Sequence, residues 1–195
     1  MPDPGWPSSW NSWGIPSWPV SDSKGTIVAF HGLHTKEVLE HKRTTGSVIG
    51  FPGAETTGRK EILGLGCSVL ALAALDESVT EENAVDVKAT TLLEVANYPV
   101  TPDGEMVLTD RGATVLPDIL ASGGGVAVSY LEWLQDIQGE PWAEKRVNAR
   151  LSEVMGAATD HVLFRSENES LSPREAAYLI AVERVAQAEV ARGYR

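Results

Sequence analysis

From Val20 onward, apolar and polar positions fall into short regular blocks. Cys67–Leu75 (CSVLALAAL) is one unbroken apolar run, the pattern of a strand buried on both faces. Thr90–Asn97 is a second β-like run, and Ala113–Leu116 a third that Pro117 stops. VSDSKG at Val20–Gly25 reads as a strand end followed by a turn. Between these strands lie helical stretches at Thr35–Lys42, Thr80–Lys88 and Asp103–Asp110. The second has Thr80 as its N-cap, with Glu81 and Glu82 in the first turn where the helix dipole favours acids.

Three helices then close the chain. The first follows three consecutive glycines and carries Val126, Tyr130, Trp133, Leu134 and Ile137 at helical spacing. The second places Val147, Leu151, Val154 and Ala158 on one face. The third opens with SPRE at Ser172–Glu175, an N-cap serine, N1 proline and N3 glutamate that form a capping box. Its buried stripe is expected at Tyr178, Ala181, Val182, Val185 and Ala188. Strand, helix, strand, helix, strand implies right-handed crossovers and one parallel sheet, an α/β fold with C-terminal helices.

The first nineteen residues break this pattern. They hold five of the eleven prolines and four of the six tryptophans, with no strand or helix period. A disordered leader or an out-of-frame read is expected there, with a tryptophan-rich docking tail as the alternative. The remaining composition is that of a water-soluble globular chain: 43% hydrophobic, 22% charged, net charge −11 over 195 residues. That charge argues against a nucleic-acid backbone as partner. The single Cys67 allows no internal disulfide and is read as a small packed hydrophobe, which points to the cytoplasm. No run is apolar and long enough to span a membrane, and the N-terminus lacks the basic start and apolar core of a signal peptide.

In open parallel sheets ligands bind outside the carboxyl ends of the strands. Asp22, Ala74 with Leu75, Asn97, and Ser122 with the glycines follow the four strands in turn. Asp22 either accepts the ribose hydroxyls of an adenine dinucleotide or bonds its own turn backbone. Asn97 either orients a carboxamide or ribose or caps its strand. Gly123–Gly125 open a helix, leaving backbone N–H groups bare for a close ligand or an anion, with Ser129 one turn inside. The alternative for these residues is a tight junction, with Ser129 bonded back to its helix. The four histidines show no metal-ligand spacing, so no metal site is expected. Glu94, a carboxylate within an apolar strand, has to be paired if that strand is real.

VSDSKG, HKRTTGSVIGFPGAE (His41–Glu55), VLALAALDESVTEENA (Val69–Ala84), LEVANYPVTPDGE (Leu93–Glu105) and PDILASGGGVAVSYLEWLQD (Pro117–Asp136) together resemble the glutamate, leucine, phenylalanine and valine dehydrogenase family, glutamate dehydrogenase most of all. The resemblance runs from about Val20 to Tyr194. It implies a leader at residues 1–19, a partial Rossmann-like dinucleotide-binding domain at 20–140 and a C-terminal helical segment at 141–195. It also implies interconversion of an amino acid, glutamate first, with its 2-oxo acid and ammonia by hydride transfer to and from the cofactor, with NAD favoured over NADP because Asp22 matches the acid beside the adenosine ribose. Ala73 and Ala74 match an alanine pair lining the cofactor, and Asn97 an asparagine beside the nicotinamide ribose. Ser129 matches the serine that holds the substrate's side-chain carboxylate.

The family usually has asparagine at Ser122 and glycine at Val95. Its catalytic lysine and aspartate belong to a substrate domain that this sequence lacks. Its GxGxxG turn, which should precede VSDSKG, is also absent from the sequence. The chain alone is therefore expected to be inactive, to bind NAD weakly or not at all, and to expose apolar surface that favours association with other dehydrogenase subunits. The alternatives are a non-catalytic regulatory partner of a complete dehydrogenase, and a free dinucleotide-binding module.

Overall fold

The computed structural model describes residues 17–74 and 77–193. Residues 1–16, which carry most of the tryptophan-rich leader, lie outside the described residues, as do Leu75 and Asp76. The chain forms two compact units, one of residues up to Cys67 together with Asp86–Lys88, the other of Ser68–Val85 and Ala89 onward.

The first unit is built on an antiparallel sheet of β1 (Ser17–Ser21), β2 (Thr26–Leu33) and β3 (Glu55–Thr57), with β2 in the middle. Ser17–Pro19 of the expected leader are part of β1. Helix α1 (Thr35–Thr45) and a 3₁₀ turn at Arg59–Gly64 complete the unit. Its core is Val20, Ile27, Ala29, Leu33, Val38 and Val48, with Ile49, Phe51 and Ala54 against it. Asp22 ties this unit together. Its backbone N–H donates to Gly25 O at 2.9 Å, closing the turn between β1 and β2. Its carboxylate accepts from Lys24 N at 2.8 Å and from Val48 N at 2.9 Å, the latter 26 residues away. Ser47 Oγ donates to it at 3.4 Å, and Lys42 Nζ lies 3.7 Å away. Burial alone would raise the Asp22 pKa, but these donors together hold it below the usual carboxylate range.

The second unit holds the parallel sheet of β4 (Val69–Leu72), β5 (Thr91–Glu94) and β6 (Thr114–Leu116), with β5 central. Two helices cross over between them, α2 (Glu81–Ala84) and α3 (Pro102–Asp110). This is the expected α/β arrangement with C-terminal helices. Three expectations for the strands and α2 need correction. The strand ending at Ser21 belongs to the antiparallel sheet, because Val20 and Ile27 pair across a four-residue turn rather than a crossover. β4 is not buried on both faces: Leu70 and Leu72 are buried while Val69 is 55% exposed, so the run covers one side only. The helix after Thr80 ends at Ala84 rather than Lys88. Arg111 Nη1 takes the carbonyls of Ala84 and Val85 at 2.8 and 2.9 Å, and Asp86–Lys88 pass to the first unit, where Lys88 N donates to Leu63 O at 3.1 Å.

Four helices follow: α4 (Asp118–Ala121), α5 (Gly123–Gln138), α6 (Glu144–Glu169) and α7 (Pro173–Ala191). The capping box expected at Ser172 is present. Ser172 N donates to Glu175 Oε2 at 2.8 Å, and Glu175 N to Ser172 Oγ at 3.2 Å. The buried face of α7 is one step off expectation: Ala176, Ala177 and Ile180 pack with Leu120 and Val162, while Tyr178, Val182 and Val185 are exposed. In α5 only Leu131 is buried, and the expected stripe of Val126, Tyr130, Trp133 and Ile137 is exposed. Among the described residues no helix is long and apolar enough to cross a membrane, and no His, Cys, Asp and Glu group could hold a metal. Burial raises the Cys67 pKa, which keeps the thiol protonated.

Gly104 lies where α3 crosses the chain before α2. A Cβ there would meet Thr80 C at 3.0 Å and Val79 O at 3.1 Å, both backbone. Gly104→Ala, despite its better helix propensity, should destabilise the chain by about 1–3 kcal/mol in denaturant unfolding. Asp22→Ala strands the buried Val48 N–H and should cost about 1–3 kcal/mol at neutral pH. Because the folded-state pKa of Asp22 is depressed, its contribution is present above the unfolded value of about 4 and is lost as pH falls through the folded value. Wild type and Asp22→Ala should therefore converge in stability on acidification, which unfolding curves between neutral and acid pH would show.

Candidate functional site: the carboxyl edge of the parallel sheet

Parallel register aligns the ends of the three strands, with Leu72 beside Glu94 and Leu93 beside Leu116. The segments that leave this edge are therefore neighbours: Ala73–Ala74 after β4, Val95–Tyr98 after β5, and Pro117 with α4 after β6.

The middle segment is held from every side. Val95 N and Ala96 N both donate to Leu72 O, at 3.0 and 2.8 Å. Tyr98 N donates to Asp118 Oδ2 at 2.8 Å, and Tyr98 O accepts from Glu77 N at 2.9 Å. Tyr98 adopts φ 48°, left-handed backbone that costs a non-glycine residue about 1–2 kcal/mol. Val95, where the family usually has glycine, is outside that region and needs none.

Beneath the loop sits an ion cluster. Glu94, fully buried, accepts from Arg174 Nη2 at 2.7 Å and from Asp118 N at 2.8 Å, while its Oε1 has no partner. The same guanidinium reaches Glu105 through Nε at 2.5 Å and Asp118 Oδ1 through Nη1 at 3.3 Å. Burial pushes the Glu94 carboxyl up, against the downward pull of Arg174 and the Asp118 N–H. Glu94 and Glu105 hold the Arg174 charge more firmly despite its own burial. One cation thus serves three acids, and Glu94 is the one that burial biases toward its protonated form. The expectation that Glu94 is paired near the site holds. Arg174, Glu105 and Asp118 were not singled out for this role. The signal lay in Glu94 itself, since a carboxylate inside an apolar strand requires a cation, and SPRE contains one.

The sequence-derived site residues divide sharply. Ala73, Ala74 and Asn97 lie on this edge, all exposed, and the Asn97 side chain makes no hydrogen bond among the described residues. Ser129 is one turn inside α5, exposed, with its hydroxyl likewise unbonded rather than turned back on the helix. Ser122 is engaged locally: its Oγ donates to Asp118 O at 2.6 Å. Asp22 belongs to the other unit and is bonded as a turn aspartate, its first acceptor contact being Lys24 N.

The glycines that open α5 have no internal neighbour that requires them. A Cβ on Gly125 would meet nothing within 4 Å, and on Gly123 or Gly124 only Met155 or Leu151 side-chain atoms at 3.9 Å. None of the three has positive φ. The chain leaves bare backbone there toward open space, beside the sheet edge and at the positive end of a 16-residue helix.

Such an edge fits the nicotinamide end of a dinucleotide: small side chains, one unbonded amide and bare helix-start backbone. It offers no glycine turn for a pyrophosphate. The family model described as Glutamate/Leucine/Phenylalanine/Valine dehydrogenase matches residues 12–193, beginning inside the tryptophan-rich stretch. The NAD-specific glutamate dehydrogenase of Staphylococcus aureus is 41% identical over 175 residues, covering 90% of this chain and 42% of that protein. Among solved structures, the hetero-hexameric glutamate dehydrogenase of Thermus thermophilus superposes with a TM-score of 0.85 at 35% identity, over 93% of this chain and 43% of its own. That of Peptoniphilus asaccharolyticus gives 0.76 at 29%, over 93% and 41%. The chain thus spans about two fifths of the length of its relatives, and it belongs to the Glutamate/Leucine/Phenylalanine/Valine dehydrogenase family.

Proposed function

We propose that this chain is the nicotinamide-side, C-terminal part of an NAD-dependent glutamate dehydrogenase. The observation that carries the reading is the pinned Val95–Tyr98 loop, with Asn97 unbonded at the carboxyl edge of the parallel sheet beside the bare start of α5. Ala73 and Ala74 would let the ring lie against backbone, and Asn97 would orient the ribose or carboxamide. Ser129 would meet the side-chain carboxylate of glutamate or 2-oxoglutarate, helped by the N–H groups at the glycine-rich start of α5. When bound, NAD would accept or return the substrate's hydride. The dinucleotide-binding part is assigned to residues 20–140 and the helical segment to 141–195, in a cytoplasmic protein.

The described residues of this edge include no lysine to polarise a keto group, and the sequence has no GxGxxG. The second reading, a regulatory subunit that docks on a complete dehydrogenase, is favoured by one observation. Val126, Tyr130, Trp133 and Ile137 are 76, 56, 55 and 64% exposed on one helix.

Titrating the purified chain with NADH should give weak saturable binding. Gly125→Ala should raise stability by about 0.5–1 kcal/mol, as alanine does in an exposed helix, while weakening NADH binding. An alanine variant that is more stable and binds NADH unchanged would sink the assignment of the α5 start. The chain alone should not oxidise NADH with 2-oxoglutarate and ammonium, and turnover by it would overturn the account of what it lacks. Under the second reading, adding the chain to a complete glutamate dehydrogenase changes that enzyme's rate, and Trp133→Glu abolishes the change.

A further inference from the structure

We propose that Arg174, on the C-terminal helix α7, is the positioning residue for the Val95–Tyr98 loop, because both ends of that loop are tied to its one guanidinium: Glu94 directly, and Tyr98 through Asp118. The inference rests on the reading of Asn97 as a cofactor contact and extends it. The helix that follows the dinucleotide-binding part, and not the sheet alone, then sets where Asn97 stands.

Four observations support it. First, Arg174 is the second residue of α7, where the helix dipole disfavours a cation, so local helix energetics do not explain an arginine there. Second, the capping box fixes the start of α7 and so fixes the base of the Arg174 side chain. Third, the contacts are divided along the loop. Nη2 holds Glu94, the residue before it, at 2.7 Å. Nη1 holds Asp118 Oδ1 at 3.3 Å, while Asp118 Oδ2 accepts the Tyr98 N–H, the last donor of the loop, at 2.8 Å. Fourth, Tyr98 is held at φ 48°, a strained backbone that the Asp118 contact on its N–H and the Glu77 contact on its carbonyl hold together. Asn97 lies between these two anchors, its side chain unbonded.

A cluster that merely stabilises the fold and one that positions the loop differ in what they protect locally. Hydrogen exchange of the wild-type chain should show the Tyr98 amide protected by its bond to Asp118, with Leu92 in the centre of the sheet as the control. In Arg174→Lys, which keeps a cation beside Glu94, Tyr98 exchange should rise about tenfold, the loss expected for one charge-assisted hydrogen bond, while Leu92 changes by less than about threefold. The Kd for NADH should weaken by about the same tenfold factor. Arg174→Met would leave Glu94 buried with no cation and destabilise the whole unit, so Arg174→Lys carries the test. It keeps the charge but reaches the acids as a point rather than a fork, so it should fold and still release Tyr98. Tyr98 and Leu92 accelerating together, or Tyr98 exchange unchanged in a folded variant, would overturn the proposal. If wild type binds no NADH, the functional reading falls, while the exchange comparison still decides whether Arg174 sets the loop.

Discussion

The second unit depends on the contact between Arg174 and Glu94. Glu94 sits in the central strand of the parallel sheet with no exposed surface, and a carboxylate taken from water into such a place is tolerated only with a cation and hydrogen bonds. The cation comes from a residue eighty positions later. The strand end therefore cannot settle until α7 has docked, and α7 cannot dock without bringing its charge to the strand. Removing one partner of such a pair costs about 3–5 kcal/mol, while the intact pair adds little over an apolar substitute. Its retention is better explained by what it orients than by net stability, and what it orients is the segment between Glu94 and Asp118.

The same separation between committed and uncommitted groups runs through the whole edge. Asp22 and Ser122 make polar contacts within their own unit, so both already have structural work. Asn97 and Ser129 do not, although both lie beside heavily bonded backbone. An exposed amide on a rigid, strained loop and an exposed hydroxyl on a regular helix cost nothing to solvate, and they present fixed geometry to whatever arrives. The glycines follow the same logic from the opposite direction. Gly104 is required by backbone packed against it, whereas Gly125 faces nothing of this chain. Two glycines that look alike in sequence therefore stand for opposite constraints, one internal and one directed outward.

Much of the second unit was legible because its signals were local. The β4, β5 and β6 runs, the proline stop at Pro117 and the SPRE cap each depend on a few adjacent residues, and each lies within the stretch expected, β4 and β5 shorter than it. What failed depended on partners distant in sequence. The strand ending at Ser21 looks the same in sequence whether its neighbour is antiparallel or parallel. The turn at Asp22–Gly25 is visible in the sequence, but nothing local shows that it closes a hairpin rather than leading into a crossover. The α2 helix stopped early because Arg111 reaches its carbonyls from 27 residues away. The buried face of α7 shifted because small residues, Ala176 and Ala177, allow the close approach to α4 and α6, and apolar size misled the choice of stripe.

Tyr98 shows how these long-range ties reach the site itself. Its left-handed backbone is disfavoured for an aromatic residue, and with 43% of its surface exposed the ring gains too little burial to compensate. The conformation must then be imposed by its two backbone bonds, to Asp118 on one side and Glu77 on the other. Asp118 can act as acceptor there only because its other oxygen is fixed by Ile119 N at 2.7 Å and by Arg174. The placement of Asn97 is thus the last step of a chain of constraints that begins at the cap of α7. A change anywhere along that chain reaches the loop before it reaches the sheet.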